Sequence, residues 1–247
     1  MQIYAIGDIH GHLGLLQGAH ALIAADRAAY RNSASPVVHV GDLVDRGPDS
    51  AGVINYLMQG QKAGHPWHVL KGNHDRLFLT FLTDPWAHDP GLRPDLGWLH
   101  PRLGGPQTLA SYGLREPGNR PVEQIHAEAR AAVPQAHRDW LTALPTNLML
   151  DAALFVHAGI RPGINLRDQT EDDLLWIRGP FLEDRRDHGA LVVHGHTALP
   201  DATHYGNRLN IDSSAAYGGP LSAVVIDGRD AWLLTPKGRT PLVPQIP

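Results

Sequence analysis

An α/β fold of the sandwich kind, with two packed mixed β-sheets flanked by helices, is predicted by three features of the sequence. Over the first 82 residues, short apolar runs alternate with amphipathic helical stretches, the pattern of a parallel sheet covered by helices. After Pro145 the apolar runs follow one another closely, so the second half reads as strand-rich, a second sheet packed on the first. The early runs each end in glycine followed by a polar residue of a kind that binds ligands.

Taken in order, Ile3–Ile6 is a buried strand stopped by Gly7-Asp8. Leu13 to Tyr30 is rich in Ala and Leu, and Leu15, Leu16, Ala19, Leu22 and Ile23 share one helical face. Val37–Val40 is β-branched, follows Pro36 and ends in Gly41-Asp42. Asp49 suits the N-cap of a helix running to about Lys62, with Val53, Ile54 and Leu57 on its buried stripe. His68–Leu70 is a third strand ended by Lys71-Gly72-Asn73, and a helix follows from Asp75 to about Leu82. Residues 84–121 are rich in Pro, Gly, Trp and His and read as a loop-rich surface insertion with a short helix near Thr108–Tyr112. Helical patterns return at Val122–Ala132 and Gln135–Leu144. Strands are expected at Asn147–Leu150, Ala153–Val156, Leu191–Val193, Arg208–Ile211, Leu221–Ile226 and Ala231–Leu234, with Asp227-Gly228 as a hairpin turn. The expected organisation is a single domain over residues 1–235. Pro236, Pro241, Pro244 and Pro247 mark residues 236–247 as a proline-rich C-terminal tail.

Composition narrows the function classes. The chain has 247 residues, 43% hydrophobic and 19% charged, with a net charge of −4, which argues against a nucleic-acid partner. Cysteine is absent, so disulfides, thiolate nucleophiles and Cys-ligated zinc are excluded. No apolar run approaches the roughly 20 residues that span a bilayer. The apolar run at Ile3–Ile6 also leaves no room for a basic leader, so cytoplasmic residence without a membrane partner is the expectation.

Five strand ends carry the chemistry. They are Gly7-Asp8-Ile9-His10-Gly11, Gly41-Asp42-Leu43-Val44-Asp45-Arg46-Gly47, Gly72-Asn73-His74-Asp75, Val156-His157-Ala158-Gly159 and Val193-His194-Gly195-His196-Thr197. One Gly-Asp after a strand is ordinarily a turn, but five polar strand ends in order have no reason to be independent turns. In a parallel sheet such ends share one edge, where open α/β folds bind ligands. Asp, His and Asn without Cys form a nitrogen and oxygen donor set suited to manganese, iron or zinc.

The words GDIHG, GDLVDRG, GNHD, HAG and GHT, in this order, resemble the phosphoprotein phosphatase family of calcineurin-like metallophosphoesterases. Val37–Ser50, Leu174–Arg178 and Arg208–Tyr217 resemble its bacterial, lambda-phage-type serine/threonine branch, and the likeness runs to about Ile226. The resemblance implies the calcineurin-like fold and a centre of two divalent ions, manganese first, with iron or zinc as alternatives. It implies that Asp8 and His10 hold one ion, Asp42 bridges, and Asn73, His157 and His196 hold the other. In the family the ligand histidine follows a small residue, which favours His196 over His194. His74 matches the family's general acid, Asp45 its orienting carboxylate, and Arg46 and Arg178 the arginines that hold phosphate. Asp75 reads as a helix cap. Ser213-Ser214 departs from the Thr-Gly that bacterial relatives often carry after Asn-Ile-Asp, and no regulatory subunit is inferable.

The implied activity is a phosphomonoesterase acting on phosphoserine and phosphothreonine, with a phosphoprotein or phosphopeptide as substrate. A dinucleoside polyphosphate hydrolase shares the same core and is the alternative. Asp45 favours the phosphatase, because the hydrolases commonly lack the second acid of the GDLVDRG word. A catalytically silent scaffold is the third reading, disfavoured because every implied ligand position holds a competent residue.

Overall fold

The computed structural model describes residues 1–32 and 34–245. Its first half alternates as expected: β1 (Gln2–Ile6), α1 (Leu13–Tyr30), β2 (Val37–His39), α2 (Ser50–Lys62), β3 (Trp67–Val69) and α3 (Asn73–Thr83). There follow α4 (Gly105–Ser111), α5 (Val122–Ala132), α6 (Gln135–Ala143), β4 (Asn147–Leu150) and β5 (Ala153–Val156). Next come α7 (Glu171–Trp176), α8 (Gly179–Leu182), β6 (Leu191–His194), β7 (Thr203–His204) and β8 (Arg208–Asn210). The order closes with β9 (Ala223–Asp227), β10 (Asp230–Thr235) and β11 (Gly238–Pro241).

Two mixed sheets result, ordered β11-β10-β9-β1-β2-β3 and β4-β5-β6-β8-β7. β1, β2 and β3 run parallel, and so do β5, β6 and β8, while β9 meets β1 antiparallel. The period-two alternation of a strand sorts each sheet's faces. In β1, Ile3 and Ala5 join Val38, Val40, Phe155, Val193 and Leu209 between the sheets, whereas Tyr4 and Ile6 face the helices with Leu16, Ile23, Ile54 and Phe78. Leu154, Val156 and Val192 pack outward against Leu174, Ile177 and Phe181.

Three expectations need correction. The strands after residue 220 do not extend the second sheet. β9, buried over its first four residues, pairs with the free edge of β1 and carries β10 and β11 into the first sheet. The tail expected over 236–247 contains β11, because Pro236-Lys237 turns the chain and Gly238–Pro241 pairs with β10; Pro247 lies outside the described residues. The 84–121 segment does not merely drape the surface, since Leu92, Trp98, Leu103, Leu109 and Leu114 are buried in the main core. α7 was missed, although Thr170 three residues before Asp173 is an N-cap signal, and the Thr170 hydroxyl accepts the Asp173 N–H. Among the described residues, no helix is long and apolar enough to cross a membrane.

Candidate active site

The two parallel sets of strands aim their C-terminal ends at one another. β1 delivers Asp8 and His10, β2 delivers Asp42, Asp45 and Arg46, and β3 leads into Asn73 and His74 at the start of α3. From the second sheet, β5 delivers His157, β6 leads to His196 and β8 to Asp212. The loops are tied to one another rather than to solvent. The Ile9 and His10 N–H groups donate to the Asp42 carbonyl at 3.0 and 2.8 Å, and the Gly195 N–H donates to the His157 carbonyl at 2.8 Å. Gly72 is needed where it stands, because a Cβ there would collide with the Asp42 backbone and carboxylate. Asp75 caps as expected, its carboxylate accepting the Gly72 N–H at 2.8 Å and the Leu43 N–H at 3.0 Å.

The turns are strained where the candidate site residues sit. Among the described residues, nine non-glycine residues have positive φ, and His10, Asp42, Asp45, Arg46 and His196 are five of them. Left-handed backbone at bulky residues is costly and persists where surrounding structure enforces it, characteristically at functional sites.

Asp8, His10, Asp42, Arg46, Asn73, His74, Trp176, Arg178, His196 and Asp212 line a cavity of about 160 Å³. Potential ligand atoms of Asp8, Asp42 and His157 converge, as do those of His10, Asp42 and His74. Tautomers decide what they offer. His10 donates its Nδ1–H to the Val44 carbonyl at 2.9 Å, and His157 does the same to the Val40 carbonyl at 2.9 Å. Both Nε2 atoms therefore present lone pairs, and these face Asp42 carboxylate oxygens at 3.3 Å. His157 Nε2 also lies 2.8 Å from Asn73 Oδ1, as does His196 Nδ1. Buried Asp8 Oδ1 and His196 Nε2 have no hydrogen-bond partner among the described residues. Acceptors facing acceptors, with two left unpaired, suit a cation, so the donor set fits a divalent metal centre.

Electrostatics agree. Burial holds the His10, His157 and His196 imidazoles below their ordinary pKa, which keeps them neutral and ligand-competent. Burial, and then the neighbouring charges of Asp212 and Asp42, push the Asp8 carboxyl well above the usual range. Burial would raise Asp42 too, but His157, His74 and His10 outweigh it and hold Asp42 well below. A guanidinium already fills part of the space: Arg46 reaches His10 Nε2 at 2.6 Å and His74 Nε2 at 3.0 Å.

The expected acid pair is assembled. His74 donates its Nδ1–H to Asp45 Oδ2 at 2.6 Å, which turns Nε2 toward the cavity. Arg178 reaches the rim, bonded to the His196 carbonyl and the Thr197 hydroxyl at 3.2 Å each. His194 stays outside, buried with its Nδ1 on the Gly195 carbonyl and its Nε2 beside Arg208. Asp212, Trp176 and Thr108 were not anticipated, and Trp98, which with Trp86 and Tyr112 reads in the sequence as a lid, a substrate-facing wall or surface packing, instead bonds Asp45. Asp212 and Trp176 stand inside Arg208–Tyr217 and Leu174–Arg178, segments that carry the resemblance, whereas nothing in the sequence pointed to the bonds that Trp98 and Thr108 make to Asp45.

Beyond Arg46 the cavity continues into a groove of about 410 Å³ lined by Arg46, Pro101, Arg102, Gly104, Gln107, Ala216 and Tyr217. Tyr217 is 67% exposed, with the Arg46 guanidinium 5.2 Å from its ring centroid. A larger surface groove, about 850 Å³ between Leu144 and Leu174, contains none of these residues.

Known proteins were compared with this architecture. The chain is 25% identical over 242 residues to the asymmetrical bis(5′-nucleosyl)-tetraphosphatase PrpE of Anoxybacillus flavithermus, covering 89% of this chain and 88% of the relative. It is 29% identical over 166 residues to the symmetrical bis(5′-nucleosyl)-tetraphosphatase of Paracidovorax citrulli, covering 66% of this chain and 45% of that one. The cold-active protein-tyrosine phosphatase of a psychrophilic Shewanella species superposes with a TM-score of 0.62 at 18% identity, over 98% of this chain and 80% of that one, a likeness of fold. The calcineurin-like phosphoesterase family model matches residues 1–226, a range that includes all five strand-end loops. The chain belongs to the calcineurin-like phosphoesterases and is a metallophosphoesterase, a hydrolase of phosphate esters.

Proposed function

We propose that this chain is a dinucleoside polyphosphate hydrolase, cleaving a phosphoanhydride bond of a bis(5′-nucleosyl) tetraphosphate. The observation that carries the reading is the groove leading from Arg46 past Arg102 to the exposed Tyr217 ring. This enzyme has a phosphate-sized cavity followed by a longer compartment with a cation and an aromatic face, the chemistry that receives a polyphosphate and a base. The relatives named as tetraphosphatases support the same choice, one of them over nearly the whole chain. Asp45, which favoured a protein phosphatase in the sequence, orients His74 whichever phosphoester is bound, so its presence does not exclude the hydrolase.

Asp8, His10, Asp42, Asn73, His157 and His196 would hold two divalent ions, manganese first, which when bound supply Lewis acidity and an acidified water. Arg46 leaves His10 and His74 to clamp phosphate oxygens, joined by Arg178 from the rim. His74, held through Nδ1–H by Asp45, would carry a second proton on Nε2 once Arg46 has left it and give that proton to the departing oxygen, ending as the neutral imidazole. A second reading, phosphomonoesterase action on phosphoserine or phosphothreonine, is favoured by that same His74–Asp45 pair. An alkoxide needs the proton far more than a departing phosphate does.

Steady-state rates with Mn²⁺ on diadenosine tetraphosphate and on a phosphoserine peptide decide between them. The expected result is kcat/KM higher on the dinucleotide by at least about tenfold, some 1.4 kcal/mol. The nucleotide products, AMP with ATP or two ADP, report which bridge is cut. A preference for the phosphopeptide would overturn the dinucleotide reading.

A further inference from the structure

The insertion at 84–121 supplies the surroundings of Asp45. Asp45 is fully buried, and its carboxylate is bonded on both oxygens. Oδ2 accepts the His74 Nδ1–H at 2.6 Å and the Trp98 indole N–H at 3.0 Å. Oδ1 accepts the Thr108 hydroxyl at 2.7 Å. The same hydroxyl oxygen accepts the Asp45 backbone N–H at 2.8 Å, so Thr108 clasps Asp45 at both ends. Ser50 adds a longer bond to that N–H at 3.2 Å.

Trp98 and Thr108 lie 53 and 63 residues from Asp45 in sequence, which is why no local pattern announced them. Both are fixed by packing. The Trp98 ring lies 5.3 Å from that of Phe78 and 4.8 Å from that of Phe81, on the helix that begins at Asn73-His74. Thr108 is fully buried in α4, whose preceding Gly104 carbonyl accepts the Arg46 N–H at 3.3 Å.

We infer that Trp98 and Thr108 are positioning residues for the acid. They hold the Asp45 carboxylate in the one orientation that keeps His74 Nδ1–H engaged and Nε2 aimed into the cavity. The physical ground is that an ionised carboxylate in a dry site is oriented by its donors and turns when one is removed. Asp45 also has positive φ, so its backbone does not fix the side chain by an ordinary rotamer preference alone. The insertion is thereby part of the catalytic apparatus, although neither residue touches substrate. The inference rests on His74 acting as the acid, and it holds for any phosphoester.

The test uses the full chain with Mn²⁺ and two aryl phosphates, p-nitrophenyl phosphate and phenyl phosphate, whose leaving groups differ in their need for a proton. His74→Asn is the reference and should lower kcat more on the phenyl ester, within the roughly 10²–10⁴-fold span of general-acid catalysis. Thr108→Val and Trp98→Phe should each show the same selectivity, lowering kcat on the phenyl ester by about tenfold and leaving KM within about twofold. Thr108→Ser keeps the hydroxyl and should restore wild-type values. In an Asp45→Asn background, Thr108→Val should add nothing, because its effect passes through the carboxylate. The His74 Nδ1–H resonance, far downfield through its bond to Asp45, should move upfield in both variants without any substrate present. If His74→Asn is not selective, the acid reading falls. If it is selective but Thr108→Val matches wild type, or its loss persists beside Asp45→Asn, the positioning role is wrong. Should Trp98→Phe fail to fold, the Thr108→Val and Thr108→Ser pair decides alone.

Discussion

Two buried aspartates at opposite ends of β1 solve the same problem in opposite ways. Asp26, on α1 and 7% exposed, accepts the Tyr4 hydroxyl at 2.8 Å and two Arg239 N–H groups at 2.8 and 2.7 Å. Burial pushes its pKa up, and Arg239 with Tyr4 more than reverses this. Asp8, 2% exposed, has one oxygen on the His196 N–H and the other on nothing, facing Asp212 and Asp42. Asp26 ties β1, α1 and β11 together, whereas Asp8 is held in a repulsive field that a proton or a cation relieves. A buried charge with complete partners serves the fold, and one with partners withheld serves chemistry.

Breaking the charged site should cost activity above all. Asp42→Asn should lose bound metal and at least about 10²–10³-fold in turnover, while Arg46→Ala keeps its ions and weakens phosphate binding. Metal analysis that finds two ions still tightly bound to Asp42→Asn would remove Asp42 as the bridge. Breaking the satisfied site should cost stability instead. Asp26→Asn should lower the urea-unfolding free energy by about 2 kcal/mol, with kcat and metal content of the folded protein unchanged. A loss of metal in that variant would mean the two regions are not separate.

A third region sharpens the contrast, a neutral pair of buried His39 and half-buried His20 bonded to each other. His39 donates its Nδ1–H to the His68 carbonyl at 3.0 Å, so its Nε2 accepts from His20 Nε2 at 3.1 Å. Burial lowers the pKa of His20 to about 3 and of His39 to about 4, from 6.5 in the unfolded chain. Below pH 6.5 the unfolded state binds more protons, so this stability is present at neutral pH and is lost as pH falls toward 4. His20→Phe should flatten the stability slope between those pH values by about 1 kcal/mol per unit, measured by denaturant melts along a pH series. An unchanged slope would show that His20 is not buried neutral.

The smallest effect should be a gain. Asp8→Asn removes like-charge repulsion, so the metal-free protein should become more stable by about 0.5–1 kcal/mol while losing metal affinity. Destabilisation in the metal-free state would mean that Asp8 is satisfied after all.

The strand ends were readable because each combines a local apolar run with glycine and a polar residue, and period-two and 3.6-residue patterns are written into neighbouring positions. His196 was separable from His194 by its small neighbour, and the structure brings His196, not His194, to the cavity. Asp212 sat inside a recognised word yet had no assigned role, because its meaning is electrostatic and depends on Asp8 being near. Trp98 and Thr108 were illegible, since a hydrogen bond across more than fifty residues leaves no periodic trace. The return of β9 to β1 was hidden for the same reason: edge pairing is a property of two distant segments, not of either one.

That pairing sets the order of events at the ribosome. Gln2 opposes Asp227, a separation of 225 residues. At 5–20 residues per second, β1 is exposed for roughly 10–45 s before its antiparallel neighbour is synthesised. During that interval the nascent parallel sheet presents an unpaired apolar edge, the kind that recruits other chains. It is also the strand that leads to Asp8 and His10, so the loop carrying them lacks its neighbouring strand until β9 is made. A chain released before β9 is therefore an aggregation hazard before it is an inactive enzyme, and holding that edge apart is the task this topology assigns to chaperones.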